Sequence, residues 1–593
     1  MTTAPRPRPG SAPLDRRRWL ELGALAAILL LAALTRLPGL DARGQWDYGQ
    51  GQDMTVLGAL AGHGQLPLLG PVTSVGTFHS GALYYYLLAP SAVLSSANPA
   101  AVTLEFALLG IAAVAATWWL ARLVGGPVAA AVAGGLLAVS PAGISESTFI
   151  WNPNPIPLFA ALAAIGVIEA RRSGRLRWWV LAALGTMATM QLHWLGGVLV
   201  VPVAGAWILE LRRVRRAGAD TGVLRRAGVL GIGILALGYL PLAIHEATSD
   251  ASEVRALLAH LSGSGAAAQA GIAERLVTVW VGSLTWPVAG VVTNRLAASL
   301  AVLVLVAVLG VLAVLPAPRR PATASGARPA RNPIDRGGPT GRSAAQWLLW
   351  TLVTAVIALA VLAPALTVVV PGLTGDQDHA FLDPVVLTLV GTGVAVLVRA
   401  TRKPAGTRAA RGDAGAADAR NASTAKRMAG PAAGLAITAA LGVVAVTAWP
   451  PAVSPDGGWR LADAAAAHVI DVVSAGWPPE EPRLLVGLPA FKPDDAMRFP
   501  LERRGFGLEP AIQGPASAGG LDVGVVTIVC DPLLDDATGV ACGGPAEERW
   551  LADAYPPGTM QLVQRFHAGD RRIMSIYGPS RLAIAPSNVD GGP

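Results

Sequence analysis

Apolar residues in this chain come in long, nearly charge-free runs, at 20–34, 107–121, 225–244, 298–316, 347–370 and 432–448. A run of roughly 20 such residues is long enough to cross a bilayer as a helix. The hydrophilic breaks between runs are rich in arginine: Arg16–Arg18, Arg171–Arg177, Arg212–Arg216, Arg319–Arg342 and Arg399–Arg427. Basic residues collect on the cytoplasmic side of membrane helices. Placing every break there predicts about eleven spans, near 19–38, 101–121, 127–144, 155–170, 176–192, 195–211, 225–245, 286–316, 346–370, 381–399 and 430–450. The stretch Ala82–Leu94 is short and carries three tyrosines and Pro90. A full crossing there would invert every later Arg cluster, so it reads as an interfacial or re-entrant segment.

This parity makes residues 1–18 a cytoplasmic basic tail and puts loops 39–100, 145–154, 246–285 and 371–380 on the outside. The inside loops 317–345 and 400–429, rich in Arg, Ala, Gly and Pro, read as flexible. The first apolar run reads as a retained span, since no small-residue cleavage site follows it before Arg36.

From Trp449-Pro-Pro onward the pattern changes. Residues 460–475 and 547–554 have helical spacing, and 484–488, 523–529, 561–566 and 573–577 are short strand-like runs. The predicted fold class is therefore mainly α: a polytopic transmembrane core over 19–450 and a small extracytoplasmic α/β domain over 451–593. Cys530 and Cys542, the only two cysteines, both fall in that domain, which predicts a disulfide in an oxidising compartment.

Composition agrees. The chain of 593 residues is 53% hydrophobic and 14% charged, with mean hydropathy +0.49. Too much apolar surface is present for one water-soluble core. The net charge of +8 sits in the breaks between spans, not in a folded basic patch interleaved with aromatics, which argues against nucleic acid and for membrane lipids as the surroundings.

No P-loop, G-x-S-x-G, H-E-x-x-H or C-x-x-C motif is present. Polar groups instead gather in the outside loops. The first reads Gln45-Trp-Asp-Tyr-Gly-Gln-Gly-Gln-Asp53, then Leu66-Pro-Leu-Leu-Gly-Pro71, then Thr77-Phe-His-Ser-Gly-Ala-Leu-Tyr-Tyr-Tyr86. Asp47 and Asp53 are candidate catalytic carboxylates, with His79, Tyr84 and Tyr85 as candidate substrate contacts. The second loop adds Glu146, Trp151, Asn152 and Asn154; His193 and His379 lie at the outer ends of further spans. Asp376 and Asp378 beside His379 leave a metal site or a phosphate site open. Solvated loop charges, turn-forming asparagines and an aromatic belt are the plain structural alternatives for these residues.

The series Gln50-x-x-Asp53, Leu66-Pro-Leu-Leu-Gly-Pro71, Phe78-His-x-Gly-x-Leu-Tyr-Tyr-Tyr-Leu-Leu-Ala-Pro90, Trp151-Asn-Pro-Asn154 and Gln191-Leu-His193 resembles bacterial glycosyltransferases that use polyprenyl-phosphate sugars. These are the protein-mannosyltransferase and aminoarabinose-transferase relatives of the GT-C fold, and the resemblance spans roughly residues 20–400. It implies a plasma-membrane enzyme that inverts the sugar while moving it from a polyprenyl-phosphate donor to a glycan, lipid or protein acceptor. A first-loop carboxylate would be the general base. Asp53 matches an acidic position of the pattern, but many relatives carry a second acidic residue four positions earlier, where this chain has Gly49. The resemblance thus leaves the base between Asp53 and Asp47. It leaves the leaving phosphate's partner among His79, His193, Arg255, Arg275 and Arg295. It makes no cofactor certain and leaves a divalent metal, Mg²⁺ or Mn²⁺, open. The competing readings are a lipid or polysaccharide transporter and a non-catalytic cell-envelope assembly protein.

Overall fold

The computed structural model describes residues 16–579 apart from 74–77, 261–270, 291–295, 316–340, 363–378, 401–415, 490–493, 513–514 and 516–523. The expectation of flexible loops at 317–345 and 400–429 lies outside this set over 317–340 and 401–415, as do Asp376, Asp378 and Arg295, while 341–345 and 416–429 are helical.

The protein is a multi-pass helical membrane protein. Its first half comprises α1 (Arg16–Arg36), α2 (Leu40–Arg43), α3 (Tyr48–His63), α4 (Leu83–Ser95), α5 (Pro99–Gly125), α6 (Pro127–Val139), α7 (Pro141–Ser145), α8 (Ile156–Ser173) and α9 (Leu176–Leu192). There follow α10 (Val200–Arg216), α11 (Gly222–Gly238), α12 (Leu240–Thr248), α13 (Ser252–Ala259), α14 (Ile272–Ala289), α15 (Leu296–Val314), α16 (Gly341–Leu362), α17 (Asp383–Ala400) and α18 (Ala416–Thr447). Among the described residues seven segments are long and apolar enough to cross a membrane, or eight if α11 and α12, bent by 49° from one another, count as one span. The remaining expected spans also contain helices, α6, α8 and α9, which are apolar and packed inside the bundle.

Two expectations need correction. The run 286–316 is not one helix: α14 ends at Ala289, where Pro287 and Gly290 (φ +65°) stop it, and α15 begins at Leu296. The expected loop 246–285 is instead helical over most of its described length, in α12, α13 and α14. The segment 82–94 forms α4, whose Tyr84, Tyr85 and Leu88 are buried. It packs between α3, α5 and α9.

After α18 come α19 (Gly458–Gly476), β1 (Arg483–Leu488), α20 (Asp495–Arg503), β2 (Val525–Cys530), a helix at Pro545–Ala554, β3 (Met560–His567) and β4 (Ile573–Pro579). The sheet order is β1-β2-β4-β3, with β1 parallel to β2 and the other pairs antiparallel. Successive strand residues face opposite sides. Leu484, Val486, Leu488, Val526 and Ile528 pack with Trp550 on one face. Leu485, Val525, Met574 and Ile576 face the other way and join the core that includes α19, α20 and α3. The sheet is therefore continuous in packing with the first loop of the membrane part. Cys530 and Cys542 are joined in a disulfide.

Candidate functional site

The site grows from α3. Asp47 caps it, accepting from the Tyr48 amide at 2.9 Å, while Gln50 Oε1 accepts from the Asp47 amide at 2.8 Å. This reciprocal arrangement satisfies amides that a helix start otherwise leaves bare. Gly64, in the left-handed region, ends the helix. Buried positions Gln50, Asp53, Met54, Leu57 and Leu60 form one helical face. Gln50 Nε2 also donates to the Ile150 carbonyl at 2.9 Å, tying α3 to the second loop.

Asp53, 3% exposed, is gripped by consecutive tyrosines of α4. Tyr84 donates to Oδ2 at 2.7 Å and Tyr85 to Oδ1 at 2.9 Å. Burial pushes the Asp53 carboxyl up to about 7, and the two tyrosine hydroxyls offset part of that rise. A carboxylic acid held near neutrality is suited to proton transfer.

Tyr85 also lines a cleft of about 310 Å³, together with Gln52, Val56, the segment Pro67–Val72, His79 and His245. The wall is built by a short antiparallel pairing. Gly70 N donates to Ser80 O, Ser80 N to Pro71 O, and Thr73 N to Phe78 O, at 2.8–3.0 Å. Gly70 and Gly81 are required by close approach: a Cβ on Gly70 would strike the Gly81 backbone, and one on Gly81 the Gln191 side chain. His79 is fixed by Glu253 of α13, which accepts from the His79 amide at 2.6 Å and contacts Nδ1 at 2.9 Å. Glu253, 9% exposed, comes from the expected loop 246–285 and His245 from the end of the expected span 225–245; neither is among the candidates the sequence offers. An isolated Glu or His in a polar stretch carries no spacing signal.

A second polar cluster lies around Glu146. Trp286 Nε1 donates to Glu146 Oε1 at 3.4 Å, and the Trp286 ring meets His379 edge-on at 5.6 Å. Burial raises the Glu146 carboxyl to about 7, with Trp286 and Arg36 pulling the other way. Asp383, fully buried beside it, has no hydrogen-bond partner on either oxygen among the described residues. Arg36 donates from Nε to Ser147 Oγ at 3.1 Å and from its two terminal nitrogens to the carbonyls of Ala138 (2.9 Å) and Leu137 (2.8 Å). Trp286, Asp383 and Arg36 were also missed, because each is an isolated residue at the edge of an apolar run.

The structure thus joins Asp53 to Tyr84 and Tyr85, sets Tyr85 and His79 on the cleft wall, and puts Glu146 and His379 in a second cluster. Asn152 and Asn154 brace the second loop: Asn152 donates to the Leu192 carbonyl and Asn154 to the Phe149 carbonyl at 2.7 Å. Trp151 stacks on Phe149. His193 is buried where α9 ends. Asp47 faces away from the cleft, toward Arg571 of the C-terminal domain at 3.9 Å. Arg255 is exposed and paired with Asp250 at 2.7 Å. Among the described residues no group of three or more His, Cys, Asp or Glu side chains is disposed to hold a metal ion.

The helical membrane core, with its loop helices α3 and α4 at one end and an α/β domain over them, has the GT-C fold. Solved structures with this architecture include the crystal structure of ArnT from Cupriavidus metallidurans in the apo state, 14% identical, with a TM-score of 0.53 over 97% of this chain and 100% of that one. The same protein bound to undecaprenyl phosphate gives 14% identity and a TM-score of 0.52 over 95% and 98% of the two chains. No protein-family model matches the sequence, and no curated protein matches it.

Proposed function

We propose that the protein is a membrane glycosyltransferase that moves a sugar from a polyprenyl-phosphate carrier to a hydroxyl acceptor at the extracytoplasmic face, with inversion. The observation that carries this reading is Asp53, buried near neutrality behind a tyrosine that lines the cleft. The acceptor hydroxyl gives its proton to Asp53 through the Tyr85 hydroxyl while its oxygen bonds to the anomeric carbon. The bond from that carbon to the phosphate oxygen breaks with its electron pair, and the phosphate leaves on the lipid. A base poised near the working pH favours such a step. Tyr84 holds the other carboxylate oxygen in place. His79 and His245 stand on the cleft wall, where a departing phosphate needs donors. No step is routed through a metal.

A groove of about 190 Å³ suits the carrier's isoprenoid chain. It is lined by Trp280, Leu284, Val306, Leu349 and Val386, and its Leu284 lies two residues from Trp286. The likeness to ArnT, one of whose crystal structures holds undecaprenyl phosphate, supports the same donor class. Orientation follows from the arginines. α8 and α10 begin near the second-loop and His193 regions and end in Arg171–Arg172 and Arg213–Arg216, at the opposite end of the bundle.

The test is transfer from radiolabelled polyprenyl-phosphate sugar in reconstituted membranes. Asp53→Asn should lower transfer at least about 100-fold, the size of a lost general base. Full activity in that variant would remove Asp53 as the base. No transfer by the natural protein from any such donor would favour a transporter or assembly role.

A further inference from the structure

The first loop enters the C-terminal domain as a guest enters a binding site. Trp46, 2% exposed, sits against Trp459 at 4.7 Å and Phe499 at 6.0 Å between ring centroids. Each polar group of Trp46 is taken up by the domain. Its indole N–H donates to the Ala496 carbonyl at 2.7 Å, its amide donates to Asp456 Oδ2 at 2.7 Å, and its carbonyl accepts from Arg572. Arg572 and Asp456, both 3% exposed, pair at 3.3 Å. Around this centre, Arg571 bridges Asp531 at 2.9 Å and Asp47 at 3.9 Å. Arg503 donates to the Ser96 and Ala97 carbonyls at 2.7 Å each, just beyond α4. Gly51 of α3 lies so close to the Asp495 backbone that no Cβ fits.

The topology sharpens the point. In open α/β sheets the carboxyl ends of parallel strands are where ligands bind. Here those ends, Gly487 and Leu488 of β1 and Val529 and Asp531 at β2, close on Asp47, Arg571 and Arg572, leaving a cavity of only about 20 Å³. That holds about one water molecule. A lid that opens on every turnover would have to unpair a buried arginine and aspartate each time, and a stranded buried charge is strongly unfavourable.

We infer that the C-terminal domain is a fixed clamp on the start of α3, and that Arg572, Asp456 and Trp46 are positioning residues which set Asp53 between Tyr84 and Tyr85. This rests on reading the Asp53 cleft as the reactive site. Removing the clamp frays α3 from its first turn, so Asp53 gains water and its proton affinity falls toward that of an ordinary carboxylate.

The test is amide hydrogen exchange over residues 48–63 of the full-length protein in lipid nanodiscs, with a pH–rate profile beside it. Arg572→Ala should speed exchange in α3 at least about ten-fold while α15 and α17 stay unchanged, the size of a lost buried partner. It should also move the acidic limb of the profile to lower pH and lower kcat with donor KM unaltered, and Arg572→Lys should restore part of each effect. Should Arg572→Ala fail to fold, Trp46→Phe keeps the ring stack and loses only the indole N–H bond; it should speed α3 exchange about three-fold. Unchanged exchange in α3 together with an unchanged profile in the folded variants overturns the clamp. Absence of glycosyl transfer in the natural protein would sink the proposed activity, yet the exchange result would still decide whether the clamp exists.

Discussion

Asp47 and Asp53 lie less than two turns apart on one helix, and their surroundings have almost nothing in common. Asp47 is spent on structure: it caps α3, exchanges hydrogen bonds with Gln50 and Tyr48, and faces Arg571 across the domain seam. Asp53 has no positive partner among its hydrogen bonds. It is sealed in by burial and answered only by two neutral hydroxyls, and it holds its proton to about pH 7. A carboxylate beside a guanidinium and a helix start is committed to those partners, whereas one in an apolar pocket stays ready to exchange a proton. The five residues between them carry the chain from one regime to the other.

The contrast breaks first at Asp53. Asp53→Asn removes the titrating group, and its activity loss of at least about 100-fold should be the largest of the set. Tyr85→Phe leaves the carboxylate in place and cuts its route to the cleft, with an expected loss of about ten-fold measured in the same transfer assay. The pH dependence sharpens the comparison. Activity of the natural protein should rise as pH climbs through about 7 and level off above it, because the base acts ionised.

The same raised value has a stability consequence. The native state keeps a proton that the unfolded chain releases near pH 4, so the contribution of Asp53 to stability falls as pH rises from about 4 to about 7. The thermal midpoint of Asp53→Asn relative to the natural protein should therefore be more favourable at pH 8 than at pH 5. Asp47→Ala should have the smallest effect: loss of a cap of about 1 kcal/mol, read as a small drop in thermal midpoint, with activity within about five-fold. A loss at Asp47 matching that at Asp53 would erase the distinction.

Much of the architecture could be read from the chain, for physical reasons. An apolar run of twenty residues has few fates, and arginines at its ends mark its sides. Strand runs in the C-terminal part are short and β-rich, and β1 (Arg483–Leu488) lies where the run 484–488 placed it. Breaks inside continuous apolar sequence were harder to see. Pro287 and Gly290 end α14 inside what looked like one span, because hydropathy does not register backbone geometry. The cleft was legible in part. Asp53, His79 and the tyrosines lie within one loop and could be grouped by proximity in sequence. Glu253 and His245 arrive from nearly two hundred residues away, and only the fold brings them there. The roles of Asp47 and Asp53 were indistinguishable for a similar reason: the residue that turns Asp47 outward, Arg571, lies more than five hundred positions downstream.

The hydrogen bond from the Trp46 amide to Asp456 spans 410 residues of chain. At ribosomal speeds of about 5–20 residues per second, Trp46 waits roughly 20–80 s for its partner to be made. During that interval α3 has its contacts to Ile150, Tyr84 and Tyr85, while the residue just before it, Trp46, lacks its partners in the C-terminal domain. A nascent chain, or one clipped by a protease before Asp456, therefore carries every residue of the cleft without the contacts that hold Trp46. The contacts around Trp46 therefore form only after the chain has been made past Asp456.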